Sequence, residues 1–228
     1  ILEEELKKRQ EETSSSSATG IIMDPETGEV LAMATTPGFD NNHFGSTRPE
    51  FHRIRWITDQ FEPGSTFKVV STVSALYDGL ISLKDEFNCE NGLFEYHSKK
   101  ITDHESYSML TASQIIHHSS NIGIIKMMDQ VGQKKLFSMS RDFGFGSKTG
   151  INLNGEVSGK LNHYNDWSAV SLGMIAMGHE VGVTAIQLAS AYCAIANGGY
   201  LLKPRIVKQI MDESENIIFS EEPVVVRK

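Results

Sequence analysis

The chain has 228 residues, with 21 Lys and Arg against 29 Asp and Glu, a formal net charge of −8. That length is enough to bury the core of one large domain with a small appendage, and an acidic balance without a basic block argues against nucleic acid as a partner. No apolar run approaches the roughly 20 residues of a membrane span, and no secretory leader is visible. Cys89 and Cys193 stand alone and far apart, a spacing that argues for neither a disulfide nor a metal site.

The first twelve residues pair Glu3 with Lys7, Glu4 with Lys8 and Glu5 with Arg9 at the i,i+4 spacing. That order favours an exposed helix. A polar run, Thr13 to Ser17, reads as a linker behind it. The lead-in is therefore placed at residues 1–17 and the main domain at residues 18–228. Residues 18–35 predict two strands joined by the turn Asp24-Pro25-Glu26-Thr27-Gly28. Residues 37–62, rich in Asn, Pro, Gly and His, are expected to be irregular. Helices dominate afterwards, over about 65–78, 111–118, 122–131, 133–142 and 184–197. Residues 205–211 and 216–219 are candidate strands. A hairpin followed by helices predicts an α+β chain, with the helices packed on a sheet.

Chemistry is concentrated in Phe61-Glu62-Pro63-Gly64-Ser65-Thr66-Phe67-Lys68. Pro63-Gly64 breaks the preceding structure, and a helix begins at Ser65, with Gly79 as its stop. Ser65 and Lys68 at i and i+3 share one helix face, so a hydroxyl and an amine come within reach of each other. Phe67, Val69 and Val70 surround the amine with apolar side chains, and desolvation lowers a lysine pKa toward the range of a base. A neutral Lys68 then activates Ser65 as a nucleophile, at a helix end whose dipole favours a developing oxyanion. Ser-x-x-Lys arises by chance in many proteins, where the serine is an N-cap and the lysine is solvated. The apolar setting of Lys68 and a second signal favour the catalytic reading.

That second signal is Ser119-Ser120-Asn121, 54 residues after Ser65. Capping of the helix that begins near Ile122 would explain it alone. Beside Ser65 and Lys68, Ser119 is better read as a proton relay and Asn121 as a holder of a substrate carbonyl. The pair His117-His118 lacks a second ligand cluster and is not read as a metal site. Asp103-His104-Glu105 is read as a solvated loop. The methionines Met127, Met128, Met174 and Met177 read as core filler. Gly144, Gly146 and Gly150 form no phosphate cradle. No cofactor is implied.

Glu62-Pro63-Gly64-Ser65-Thr66-Phe67-Lys68 followed by Ser119-Ser120-Asn121-Ile122-Gly123 resembles the transpeptidase domain of class B penicillin-binding proteins, of the division and sporulation type. Residues 18–34, Val183-Thr184-Ala185-Ile186-Gln187-Leu188-Ala189 and Ala196-Asn197-Gly198-Gly199 are also similar to that family, so the likeness extends over about residues 18–210. The family carries a third motif, Lys-Thr-Gly, on a cleft strand. Lys148-Thr149-Gly150 matches its letters, but it lies in a segment that resembles a non-catalytic stretch between the second and third motifs. The third motif of the family is expected beyond residue 228, together with the remaining strands of a five-stranded sheet.

The resemblance implies a peptidoglycan D,D-transpeptidase that forms a serine ester with a D-alanyl-D-alanine peptide and cross-links stem peptides. Ser65 would be the nucleophile, Lys68 the base, Ser119 the relay and Asn121 a substrate holder, with the Ser65 N–H as one oxyanion donor. It implies β-lactams as ligands, and a membrane glycosyltransferase with division or elongation proteins as partners. It also implies an anchored protein at the outer face of the bacterial cytoplasmic membrane. Two alternatives are a non-catalytic scaffold of the division machinery and a serine β-lactamase. The class A pair of glutamate and asparagine four apart is absent, since Lys160 follows Glu156, and class D enzymes prefer valine where Asn121 stands.

Overall fold

The computed structural model describes residues 1–228 and contains eight α-helices. They are α1 (Leu2–Thr13), α2 (Arg55–Thr58), α3 (Lys68–Leu76), α4 (Ala112–His117), α5 (Asn121–Val131), α6 (Gln133–Asp142), α7 (Ser171–Ala176) and α8 (Ala185–Ala196). The ten strands are β1 (Ala18–Met23), β2 (Val30–Thr36), β3 (Glu86–Asn88), β4 (Leu93–Tyr96), β5 (Lys99–Thr102), β6 (Met109–Thr111), β7 (Leu201–Leu202), β8 (Gln209–Met211), β9 (Ile217–Ser220) and β10 (Val225–Arg227). All pair antiparallel and in twos: β1 with β2, β3 with β6, β4 with β5, β7 with β10 and β8 with β9. The α+β class expected from the sequence is therefore the observed one. No helix is long and apolar enough to cross a membrane.

The residues fall into two compact units. The first comprises residues 1–60, 147–159 and 184–228. Its centre is the β1–β2 hairpin, backed by Ile57 of α2, Ile151 and Ile186 of α8, with Ile21, Met23, Val30, Ile54 and Leu153 packed against them. Helix α1 belongs to this unit rather than to a separate lead-in. Leu2 and Leu6 cover Gly20, where a side chain would collide with Leu2 at 2.9 Å. Thr36 donates a 2.7 Å hydrogen bond to the Gln10 side chain. The expected i,i+4 pairs are replaced by Glu5–Lys8 and Arg9–Glu12 at i,i+3. The expected linker is an ordered helix cap: Ser14 takes a left-handed conformation, and the Ser15 N–H returns to the Gln10 carbonyl. Helix α8 starts at a capping box, with Thr184 and Gln187 bonding each other's backbone N–H groups.

The segment Lys148-Thr149-Gly150 also lies in this unit and in no strand. One carboxylate oxygen of Glu156 accepts from the Thr149 N–H and hydroxyl, both at 2.6 Å, and the other accepts from the Gly150 N–H at 3.2 Å. Glu156 is itself buried, so the segment is a closed turn with its donors satisfied internally.

The second unit comprises residues 61–146 and 160–183. Helix α5 is its centre and is packed on by α3, α4, α6 and α7. Ile122, Ile124, Ile125, Met127 and Met128 of α5 are fully buried. Helix α7 is invisible to helix propensity because Gly173 sits in its middle. The glycine is required by packing: a Cβ there would meet the Tyr96 ring at 2.6 Å and Ile125 at 3.1 Å. The short pairs β3–β6 and β4–β5 also escape sequence reading, since runs of three or four residues carry little period-2 signal.

Candidate active site

The first motif is built on a change of helix type. Gly64–Phe67 forms a 3₁₀ turn that runs directly into α3 at Lys68. In a 3₁₀ turn residues i and i+3 eclipse, so Ser65 and Lys68 stack more directly than an α-helix would place them. Phe67 anchors the turn: it is fully buried, with its ring 5.1 Å from that of Phe145. The Thr66 hydroxyl closes back on the Pro63 carbonyl at 2.7 Å. Ser65 is exposed and Lys68 is only 2% exposed, so the nucleophile candidate faces solvent while the amine is sequestered.

A second segment of the same unit holds this turn from outside. Phe61 and Val183 exchange backbone hydrogen bonds at 3.0 and 2.9 Å. The Gly64 N–H donates to the Gly178 carbonyl at 3.1 Å. The Glu62 carboxylate bonds His179 Nδ1 at 2.9 Å and accepts from the Glu180 N–H at 2.8 Å. The His179 hydrogen bond and that N–H hold the Glu62 carboxyl below its ordinary pKa.

The second motif joins α4 to α5. Ser119 adopts φ +54°, a conformation uncommon outside glycine and one that recurs at functional sites. Ser120 is the N-cap of α5, its Oγ accepting from the Gly123 N–H at 2.8 Å. The capping role read for this stretch therefore falls to Ser120, which leaves Ser119 and Asn121 for other contacts. Lys68 Nζ donates to the Ser119 carbonyl at 2.5 Å, the Ser119 hydroxyl at 3.1 Å and Asn121 Oδ1 at 2.7 Å. Asn121 Nδ2 donates to the Thr102 carbonyl at 2.9 Å.

Three of the four candidate residues thus meet around one amine. Ser65 is one turn from that cluster along the chain, and Lys68 makes no hydrogen bond to its hydroxyl. All three N–H groups of a protonated Lys68 are occupied by acceptors. Taking a proton from Ser65 requires Lys68 to be neutral and to release one of them. Burial pushes the Lys68 pKa down from 10.5 to about 8, against the opposing pull of the Asp103 charge. At that value about a tenth of the amine is neutral at pH 7.

Asp103 corrects the reading of residues 103–105 as a solvated loop. Its Oδ1 accepts from the Asn121 N–H at 2.5 Å and the Ile122 N–H at 3.0 Å, and its Oδ2 accepts from the Ser120 hydroxyl at 2.6 Å. No local pattern reveals this cap, because the carboxylate lies 17 residues before the turn it serves. His118 stacks on Tyr107, with ring centroids 4.8 Å apart, and His117 lies edge-on to His118 at the same separation.

A family model described as penicillin binding protein transpeptidase domain matches residues 18–228. Stage V sporulation protein D of Bacillus subtilis is 32% identical over 215 residues, covering 93% of this chain and 33% of that protein. Peptidoglycan D,D-transpeptidase FtsI of Escherichia coli is 34% identical over 183 residues, covering 80% of this chain and 31% of that protein. The chain spans about a third of the length of these curated relatives. Among solved structures, penicillin-binding protein 3 of Mycobacterium tuberculosis complexed with aztreonam superposes with a TM-score of 0.89 at 25% identity, over 99% of this chain and 51% of that one. The apo transpeptidase domain of Burkholderia pseudomallei penicillin-binding protein 3 gives 0.81 at 26% identity, over 97% and 60%.

Proposed function

Since the chain belongs to the penicillin-binding-protein transpeptidase domain family, we propose that it performs D,D-transpeptidation of peptidoglycan through an ester on Ser65. The observation that carries this reading is the buried Lys68 amine, held by Ser119 and Asn121 one 3₁₀ turn from an exposed serine. Ser65 Oγ attacks the carbonyl between the two D-alanines of a stem peptide. Neutral Lys68 takes the hydroxyl proton, after releasing one of its acceptors. The Ser65 N–H stabilises the oxyanion, being near the start of a helical segment where N–H groups lack intrahelical partners. Ser119, bonded to Lys68, passes the proton to the leaving D-alanine nitrogen as the C–N bond breaks. Asn121 has a second amide N–H beyond the one given to Thr102, and it holds the peptide of the substrate. The amine of a neighbouring stem peptide then attacks the ester, which frees Ser65 and forms the cross-link.

The same serine attacks the strained amide of a β-lactam, whose ring keeps the leaving nitrogen tethered. Stem peptides and β-lactams are therefore the ligands. The site of action is the outer face of the bacterial cytoplasmic membrane, alongside a glycosyltransferase and division or elongation proteins. The test is labelling of the full-length protein by a fluorescent penicillin. A long-lived adduct on Ser65 that Ser65→Ala abolishes is expected. Undiminished labelling of the alanine variant would refute the assignment, and rapid loss of the adduct by hydrolysis would favour a β-lactamase.

A further inference from the structure

We infer that Asp103 is a positioning residue for this acyl transfer, one that holds the Ser119–Asn121 turn in register with Lys68. The inference rests on the reading of Ser65 and Lys68 given above. Three donors converge on its one carboxylate: the Asn121 and Ile122 N–H groups and the Ser120 hydroxyl. The Ser120 hydroxyl is buried and in turn accepts from the Gly123 N–H, so the first turn of α5 is satisfied through Asp103. The preceding residue acts on the same turn, because the Thr102 carbonyl receives Asn121 Nδ2. Asn121 is thus gripped by its backbone N–H and by its side-chain amide from two consecutive residues at the end of β5. That double grip sets which way the amide faces. Its Oδ1 points to Lys68, and its nitrogen is left with one N–H for a substrate.

The positions of the Asp103 ligands follow from chain geometry. The Asp103 N–H donates to the Gly92 carbonyl at 3.1 Å, which ties the residue to the β4–β5 hairpin. A Cβ on Gly92 would lie 3.0 Å from the Glu105 carbonyl oxygen, so this hairpin base and the Asp103 loop are close-packed. The hairpin contributes no group to Lys68 itself, but it carries the carboxylate that locates two of the residues that do.

The carboxylate has a second effect. Burial lowers the Lys68 pKa, and the Asp103 charge acts on the same amine in the opposite direction. The negative charge of Asp103 favours the protonated amine and so opposes the effect of burial. Position and charge are separable by substitution. In Asp103→Asn the amide oxygen still accepts from the two N–H groups. Its nitrogen donates to the Ser120 oxygen, whose own proton turns toward Cys89 Sγ, 3.7 Å away. The turn keeps its shape and the charge is lost. In Asp103→Ala both are lost.

The experiment is the pH dependence of acylation by a fluorescent penicillin in the full-length protein. Asp103→Asn is expected to move the acid limb to lower pH, because more of Lys68 is then neutral at a given pH. Asp103→Ala is expected to slow acylation by about 10²-fold, the usual cost of a misplacement near 1 Å at a reacting centre. An Asn variant with an unmoved acid limb, or an Ala variant that acylates at the wild-type rate, would overturn the inference. Failure of the unsubstituted protein to be labelled would instead overturn the acyl-transfer reading, and this inference with it. Because Asp103→Ala could fail by unfolding, its thermal unfolding is measured in parallel. The limb shift in Asp103→Asn does not depend on that outcome, and a merely structural carboxylate would not produce it.

Discussion

Gly178→Ala is the sharpest test of how the Ser65 turn is held. Gly178 has φ +85°, and its absent Cβ would stand 2.1 Å from the Gly64 carbonyl oxygen and 2.7 Å from the Gly64 carbon and nitrogen. The neighbours are backbone, so no rotamer change relieves the clash. Ordinary contact begins at 3.4 Å, and 3.4 − 2.1 = 1.3 Å of separation must come from displacement of one backbone segment. Gly64 opens the 3₁₀ turn that carries Ser65, and its N–H donates to Gly178 itself. The left-handed conformation costs a non-glycine residue about 1–2 kcal/mol. Overpacking adds about 1–3 kcal/mol. A loss of about 2–5 kcal/mol of stability is expected, seen as a lowered Tm. A displacement of this size at Ser65 is expected to slow acylation by about 10²-fold. Gly45→Ala is the control, since nothing lies within 4 Å of its Cβ position. The assay pairs thermal unfolding with the second-order rate of fluorescent-penicillin labelling. A Gly178→Ala protein with wild-type Tm and wild-type rate would refute the contact between these glycines.

Two further outcomes follow from buried charges. The folded Lys68 pKa of about 8 lies below the 10.5 of the exposed side chain, so between those values the unfolded chain binds more protons than the folded one. Stability should therefore rise with pH across that window, by up to about 3 kcal/mol, and Lys68→Met should remove that part of the slope. A Met variant whose denaturation midpoint keeps the same pH dependence from 8 to 10.5 would contradict the buried, depressed amine. Glu156→Ala leaves the Thr149 and Gly150 N–H groups without their carboxylate, and a loss of about 2 kcal/mol is expected by chemical denaturation. Glu156→Gln, which retains an acceptor, should lose less, and an unchanged midpoint in the alanine variant would count against the closed turn.

The sequence by itself determined the local parts of this protein. Ser65 and Lys68 are three residues apart, so any helical turn brings them together, and the stop at Gly79 and the Thr184–Gln187 capping box are equally local. The α+β class followed from one hairpin pattern and several apolar helical periods. Tertiary structure decided what depends on distant pairs. Residue spacing put Lys68 in an apolar stretch, but it did not show that Ser119 and Asn121 would occupy all its N–H groups. Asp103 looked like a solvated loop because its partners are the unpaired N–H groups at the start of α5, and those exist only once α5 is formed. Helix α7 holds Gly173 in its middle, and the value of that glycine lies in the space it leaves for Tyr96 and Ile125, which no local pattern displays. Gly178 is of the same kind: its required φ and its contact with Gly64 belong to a chain crossing 114 residues removed, and no window along the sequence contains both.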